Sequence, residues 1–180
     1  MEMDEVITRV KNGESHHFAH IVKHYEQKIF TTVIRIVKNR AAAEDIVQDI
    51  FIKVFYSLHK YKKIGSFNAW LYRIVVNNCF DYLRIHKLQT IRIDSDVMDN
   101  RYPEKALLLH ERNEQLEKLL QQLDETEYMV LLLKYVNELS YDEISEVLRI
   151  SLNDVRNKLH RSKRKLRSIT MTKGGYFYEM

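Results

Sequence analysis

The chain has 180 residues, 45% of them hydrophobic, enough for a buried core in one medium domain or two small ones. Four glycines (Gly13, Gly65, Gly174, Gly175) and one proline, Pro103, are too few for the turns of an all-β fold, and no G-x-G or G-K-[ST] loop is present to cradle a nucleotide. The net charge of +4 hides two basic blocks around an acidic one: residues 1–92 carry 15 Lys/Arg against 9 Asp/Glu, 93–148 carry 5 against 14, and 149–180 carry 9 against 2, a pattern that suits a polyanion touched at two places.

Apolar residues recur at three- and four-residue spacing from Glu14 to Lys38, through Phe18, Ile21, Val22, Tyr25, Ile29, Val33, Ile36 and Val37, which predicts a first helix. After a break at Asn39-Arg40, a second helix is expected from Ala42 to Leu58, with Ile46, Val47, Ile50, Phe51, Val54 and Leu58 inward. Glu44 and Asp45 are read in its first turn, where acids complement the helix dipole. The basic loop Lys60–Ser66 leads to a third helix, Phe67 to Lys87, with Phe67, Trp70, Leu71, Ile74, Val75, Cys79, Tyr82 and Leu83 apolar. Three helices on one core make a first domain.

Periodicity fails from Leu88 to Tyr102, which reads as a linker ending at Pro103. A second helical domain follows, with helices over 103–123 and 125–136. Ser140-Tyr-Asp-Glu143 is a capping box for a helix ending at Leu148, and Ser151 caps a last helix through Val155, Leu159 and Leu166. No apolar run approaches a membrane span, the acidic N-terminus is no signal peptide, and the lone Cys79 needs no oxidising compartment. A soluble cytoplasmic protein with no membrane insertion is expected.

The helices over 140–148 and 152–168, joined by a short turn, have helix-turn-helix dimensions. The second is strongly basic. With Val155, Leu159 and Leu166 inward, Arg156, Asn157, His160 and Arg161 are available to base edges, and Lys158, Lys163 and Arg164 to phosphates. The third helix mixes aromatics and cations, among them Phe67, Trp70, Tyr72, Arg73, Phe80, Tyr82 and Arg84, the pairing that stacked bases and their phosphates need. At helical spacing Trp70 is read as core ahead of a stacking platform, and Cys79 as core. His16, His20 and His24 recur every four residues with His17 and Glu14 nearby, but neither Cys nor H-E-x-x-H accompanies them. A solvated polar face accounts for them, and no metal or other cofactor is expected.

Two ordered motif sets resemble a known family. Asp45-Ile-Val-Gln48-Asp49-Ile-Phe51-Ile-Lys53-Val-Phe55, then Phe67-Asn-Ala-Trp70-Leu71-Tyr-Arg73-Ile74-Val-Val-Asn77-Asn-Cys-Phe-Asp81-Tyr-Leu-Arg84, resembles the core of a bacterial sigma factor. Leu139-Ser140-Tyr-Asp-Glu143-Ile144, continuing to Val155-Arg156-Asn157-Lys158-Leu159-His160-Arg161, resembles its promoter-reading domain. Two domains with one linker match the extracytoplasmic-function group. Asp49 stands where the family usually has Glu, Arg149 where it has a turn glycine, and Asn153-Asp154 where it has Gly-Thr.

The resemblance implies an all-α fold of two small helical domains: residues 1–90 for polymerase docking and the minus-ten element, an acidic linker over 91–110, a helix-turn-helix domain over 111–170 for the minus-thirty-five element, and a tail over 171–180. It implies that Asp45, Gln48, Asp49 and Lys53 dock on the β′ clamp of core RNA polymerase. Lys60, Lys62, Lys63, Phe67, Trp70, Arg73, Asn77 and Arg84 would handle the minus-ten strand, and Arg156, Asn157, Lys158, His160, Arg161, Lys163 and Arg164 the minus-thirty-five element. The linker would thread into the polymerase interior, an anti-sigma factor is an expected partner, and no catalytic residue is assigned. The rival readings are a stand-alone helix-turn-helix regulator that senses a ligand and a metal-dependent enzyme using the histidines and carboxylates. Neither explains both motif sets in their order.

Overall fold

The computed structural model describes residues 2–87 and 120–172, and every regular element among them is helical. They fall in two compact units. The N-terminal unit contains α1 (Met3–Lys11), α2 (Phe18–Val37), α3 (Arg40–Ser57) and α4 (Phe67–Lys87), with 3-10 turns at Ser15–His17 and Leu58–Lys60. The C-terminal unit contains α5 (Glu125–Tyr135), α6 (Tyr141–Leu148) as far as Ser145, and α7 (Leu152–Thr172). The all-α class and the helix-turn-helix are as expected from the sequence. The linker over 91–110, most of the helix expected over 103–123 and the tail from residue 173 lie outside the described residues.

In the N-terminal unit the inward residues of α2 and α3 are those the periodicity singles out. Ile21, Ile29, Val33, Ile50 and Val54 are fully buried, and Leu58 closes the core from the 3-10 turn. Burying each such side chain contributes about 1.5–3 kcal/mol. α4 buries Ala69, Leu71, Tyr72, Val75, Val76 and Cys79. Tyr72, grouped above with the stacking aromatics, is only 1% exposed and is a core residue.

The three expected helices are joined by a fourth, α1, whose Val6 and Ile7 are buried. Nine residues with few apolar positions give too short a stripe to stand out, and a helix of that length holds only through tertiary packing. The start of α3 also lies earlier than expected. Asn39 is its cap, accepting the Ala42 N–H at 2.9 Å, so Glu44 and Asp45 fall in the second turn. Glu44 instead pairs with Arg40, Oε1 to Nε at 3.1 Å, and the dipole account of these acids does not hold.

The C-terminal unit is built on successive caps. Asp124 and Glu127 form a reciprocal capping box on α5, Ser140 and Glu143 another on α6, and the Asp154 N–H donates to Ser151 Oγ at 3.0 Å to open α7. α5 buries the whole run Met129–Leu133, as a helix enclosed on most sides does, while Tyr135 is 55% exposed. Between α6 and α7, Arg149 takes the left-handed conformation (φ 55°, ψ 43°) that ends a helix, a position usually left to glycine. The turn is closed by the Ile150 N–H on Ser145 O at 3.2 Å and by Ser145 Oγ donating to Ile150 O at 2.6 Å.

Candidate functional site

α7 presents a cationic face because its other face is held. Val155 and Leu159 are buried, and so is Ser162, whose hydroxyl donates back to Lys158 O at 2.7 Å. Opposite them Arg156, Asn157, His160, Arg161, Lys163 and Arg164 are exposed, so six of the seven residues expected at the minus-thirty-five element share the solvent side. Lys158 differs. Its side chain is 25% exposed and its Nζ lies 3.7 Å from Asp124 Oδ1, tying the start of α5 to α7. Burial pushes the Asp124 carboxyl up, but the Glu127 N–H and Lys158 outweigh it and hold the carboxyl below its ordinary range. Lys163 Nζ lies over the Tyr135 ring at 5.4 Å, so the exposed tyrosine meets α7 through the face of its ring.

A second tie sets the attitude of α7. Lys165 Nζ donates to Glu127 Oε2 at 2.6 Å, and that same oxygen accepts the Asp124 N–H at 3.1 Å. The Glu127 side chain is 3% exposed, so a cap and an interhelical ion pair share one buried carboxylate. The D-x-x-E pattern at Asp124–Glu127 is the sequence signal for the cap. Nothing local signals Lys165 as the partner, because it comes from 38 residues away.

In the N-terminal unit Asp45, Gln48, Asp49 and Lys53 are all exposed along α3, at the spacing that puts them on one helix edge. The edge continues into apolar residues that the sequence reading did not select: Ile52 is 54% exposed, Phe55 37% and Tyr56 71%. Beside them, a groove of about 450 Å³ runs between α3 and α4, lined by Ile52, Lys53, Tyr56, Ser57, Lys60, Ile74, Asn77 and Asn78. It brings together Lys53 from the expected docking set with Lys60 and Asn77 from the expected minus-ten set. Lys53 Nζ donates to Asn78 Oδ1, and the Asn78 amide donates to Ile74 O at 2.7 Å. Apolar walls, amides and cations in one groove can hold a planar base together with its phosphate.

The other residues of the minus-ten set are spread more widely. Phe67 is 8% exposed, packed among Tyr25, Tyr61 and Trp70, so it supports the surface from beneath. Trp70 and Arg73 are half-buried, and Arg84 is exposed and pairs with Asp81 at 3.1 Å. Lys60, Lys62 and Lys63 are exposed on the loop before α4. That loop is braced by α1: Lys11 Nζ donates to Tyr61 O at 2.8 Å, and Lys63 pairs with Asp4, which raises the ammonium pKa through that hydrogen bond.

Among the described residues one group has metal-ligand geometry: Glu14, His16 and His17, with donor atoms within 4.8 Å of one another. Arg9 reaches into it, its NH1 3.4 Å from His17 Nε2 and 3.9 Å from Glu14 Oε2. The same guanidinium makes its closer pair with Glu5, at 2.8 Å, so Arg9 lies between two carboxylates. His20 and His24 are exposed and outside the group, so the four-residue repeat of histidines does not assemble a site. Burial pushes the Cys79 thiol up to about 12, which makes it a core residue without nucleophilic character. No helix among the described residues is long and apolar enough to cross a membrane.

Comparison with known proteins agrees with this layout. Residues 21–88 match the family model of sigma-70 region 2, and residues 113–166 match that of sigma-70 region 4. The chain is 31% identical to the ECF RNA polymerase sigma factor SigW of Bacillus subtilis (strain 168), over 93% of this chain and 96% of that one. It is 27% identical to the RNA polymerase sigma-H factor of Pseudomonas aeruginosa, over 88% and 89%, and 26% identical to the ECF sigma-E factor of Escherichia coli K12, over 88% of each. Among solved structures, CnrH in complex with the cytosolic domain of CnrY superposes with a TM-score of 0.73 at 20% identity, covering 94% of this chain and 97% of that one. The sigma factor RpoE of Bartonella quintana, in complex with the anti-sigma factor NepR, gives 0.69 at 17% identity over 86% and 96%. With both motif sets in their family order along two helical units, the chain belongs to the extracytoplasmic-function group of RNA polymerase sigma factors.

Proposed function

We propose a division of labour among the surfaces of this sigma factor, which directs core RNA polymerase to promoters and helps open them. The edge of α3 bearing Asp45, Gln48, Asp49 and Lys53 docks on the β′ clamp, with Ile52 and Tyr56 supplying the apolar part of the contact. The observation that carries this reading is the single exposed edge on which the acids adjoin apolar residues, a charged steering rim beside a desolvating centre. The groove between α3 and α4, with the basic loop at Lys60, Lys62 and Lys63, takes the separated minus-ten strand. Asn77 offers an amide to a base edge, and Trp70, Arg73 and Arg84 extend the path. Extruding a base costs a few kcal/mol, which stacking and hydrogen bonds in the groove return.

In the C-terminal unit Arg156, Asn157, His160 and Arg161 read bases in the major groove, while Lys163 and Arg164 hold phosphates. Lys158 has a double role, orienting α7 through Asp124 and adding positive charge near the backbone. The boundaries we assign are 1–90, 91–110 and 111–170, with the acidic linker entering the polymerase interior. The chain supplies recognition and strand capture in the cytoplasm, and the polymerase supplies the covalent chemistry. An anti-sigma factor is the proposed restraining partner, by analogy with the structurally similar RpoE solved with NepR.

The test is charge reversal of the docking edge. Asp45→Lys with Asp49→Lys lowers retention of core polymerase in a pull-down, chiefly through slower association, and leaves the helical circular dichroism unchanged because both side chains are exposed. Unaltered retention rejects the assignment of this edge.

A further inference from the structure

The turn between α1 and α2 carries a side-chain cluster outside the sets assigned to polymerase and promoter. Gly13 takes φ 98°, a left-handed conformation that lets the chain reverse after α1. Backbone bonds then fix the reversal: the Glu14 N–H donates to Arg9 O at 3.1 Å, the Ser15 N–H to Gly13 O at 2.9 Å and the His17 N–H to Glu14 O at 3.1 Å. Glu14, His16 and His17 therefore stand on a turn whose backbone is already bonded. Each offers one donor atom, and the three atoms lie within 4.8 Å of one another. Glu14 and His16 are exposed, so the cluster is open to solvent, while His17 is 8% exposed and anchors it.

The His17 ring is poorly served by its protein neighbours. Its Nδ1 is buried and makes no hydrogen bond, a rare state for a buried polar atom. Its Nε2 faces Glu14 Oε2 at 3.2 Å and the Arg9 guanidinium at 3.4 Å. In a neutral imidazole that nitrogen either donates to the carboxylate or accepts from the guanidinium, so one of the two contacts always lacks its complement. A cation between Nε2 and Oε2 uses both lone pairs at once. Their 3.2 Å separation is close to the edge of a tetrahedron with bonds of about 2.0–2.1 Å, the length of a zinc–imidazole bond. Arg9 is free to leave Glu14, 3.9 Å away, because its closer partner is Glu5 at 2.8 Å. His16 supplies a third ligand and water the fourth.

We propose that Glu14, His16 and His17 form a site for one divalent transition metal of the zinc class, which locks the turn between α1 and α2. Two imidazoles and one carboxylate select such a cation over Mg²⁺, which demands octahedral oxygen coordination. The ligands are near neighbours on a 3-10 turn, not the four-residue repeat of His16, His20 and His24 along the helix. None of the three belongs to the residues assigned to polymerase or promoter, so the site is independent of those assignments and of their tests.

The experiment titrates Zn²⁺ alone into the chelator-stripped full chain and reads the heat of binding and the thermal melt. One equivalent binds and raises the melting temperature, as linkage requires, and the same concentration of Mg²⁺ does neither. Glu14→Gln and His16→Gln, both at exposed positions, each weaken the affinity by about tenfold or more and leave the metal-free melt close to the parental one. The paired variant His20→Gln, His24→Gln, outside the cluster, binds as the parent does. Arg9→Gln removes the cation that competes for Glu14 and tightens binding several-fold. Absence of binding to the parent chain overturns the site, and so does an equal response to Mg²⁺. Binding that survives Glu14→Gln combined with His16→Gln, or that is lost with His20 and His24, overturns it as well. An unchanged or weaker affinity in Arg9→Gln removes the metal from the side of Glu14 and rejects the proposed ligand set.

Discussion

Glu127 and Lys165 permit a prediction in which the two halves of an ion pair are unequal. Both Lys165 Nζ, at 2.6 Å, and the Asp124 N–H, at 3.1 Å, use Glu127 Oε2, and the glutamate side chain is 3% exposed while that of the lysine is 44% exposed. In Glu127→Gln a buried acceptor remains and the ammonium turns to water, so the cost is the charge assistance, about 1–2 kcal/mol. In Lys165→Met the carboxylate stays buried without its counter-charge. A fully buried pair broken in this way costs about 3–5 kcal/mol, and solvent beside the exposed lysine position reduces that to about 2–3 kcal/mol. The double variant has no charge left to strand, so it is about as stable as Glu127→Gln alone. At about 4–8 °C per kcal/mol for a unit of this size, Lys165→Met lowers the melting temperature of the C-terminal unit by about 10 °C or more. The assay is denaturant unfolding of the full chain, with amide exchange in α5 and α7 to locate the loss. Equal costs for Glu127→Gln and Lys165→Met, or simple addition of the two, would show that no buried charge is stranded.

Other outcomes follow from the same unit. Arg149 sits at φ 55°, so Arg149→Gly removes a β-carbon strain of about 1–2 kcal/mol against about 0.5–1 kcal/mol of added unfolded-state entropy. The denaturant midpoint therefore rises modestly, and Arg149→Ala brings no such rise. Asp124, whose carboxyl titrates below its ordinary range in the fold, contributes stability that is fully present above the ordinary carboxylate value of about 4. That stability is lost as pH falls through the lowered native value. An acid titration of unfolding should show this limb in the parent and a shallower one in Asp124→Asn.

The helix pattern was legible because the inward residues of α2, α3 and α7 repeat at helical spacing, and Ser140 with Glu143 declared a boundary by local chemistry. The start of α3 was not, since Asn39 looks like a break until its side chain is seen to accept the Ala42 N–H. α1 was missed for a related reason: Val6 and Ile7 become a core face only when something packs over them. At the sites, the cationic face of α7 followed from subtracting its apolar stripe. Lys158 could not be distinguished from its neighbours in that way, because Asp124 lies 34 residues earlier in the chain.

Local pattern along the chain is enough for the all-helical class, the order of two motif sets and the acidic and basic edges, all of which depend on residues within a few turns of one another. Tertiary structure alone decided which cations are committed to internal carboxylates, which aromatics support a surface rather than line it, and which apolar residues remain in water. Tyr72 and Ile64 illustrate the difference: the tyrosine is 1% exposed and the isoleucine 87%. Burial is a property of what lies opposite a side chain, and that neighbour is brought there by the fold from distant parts of the chain.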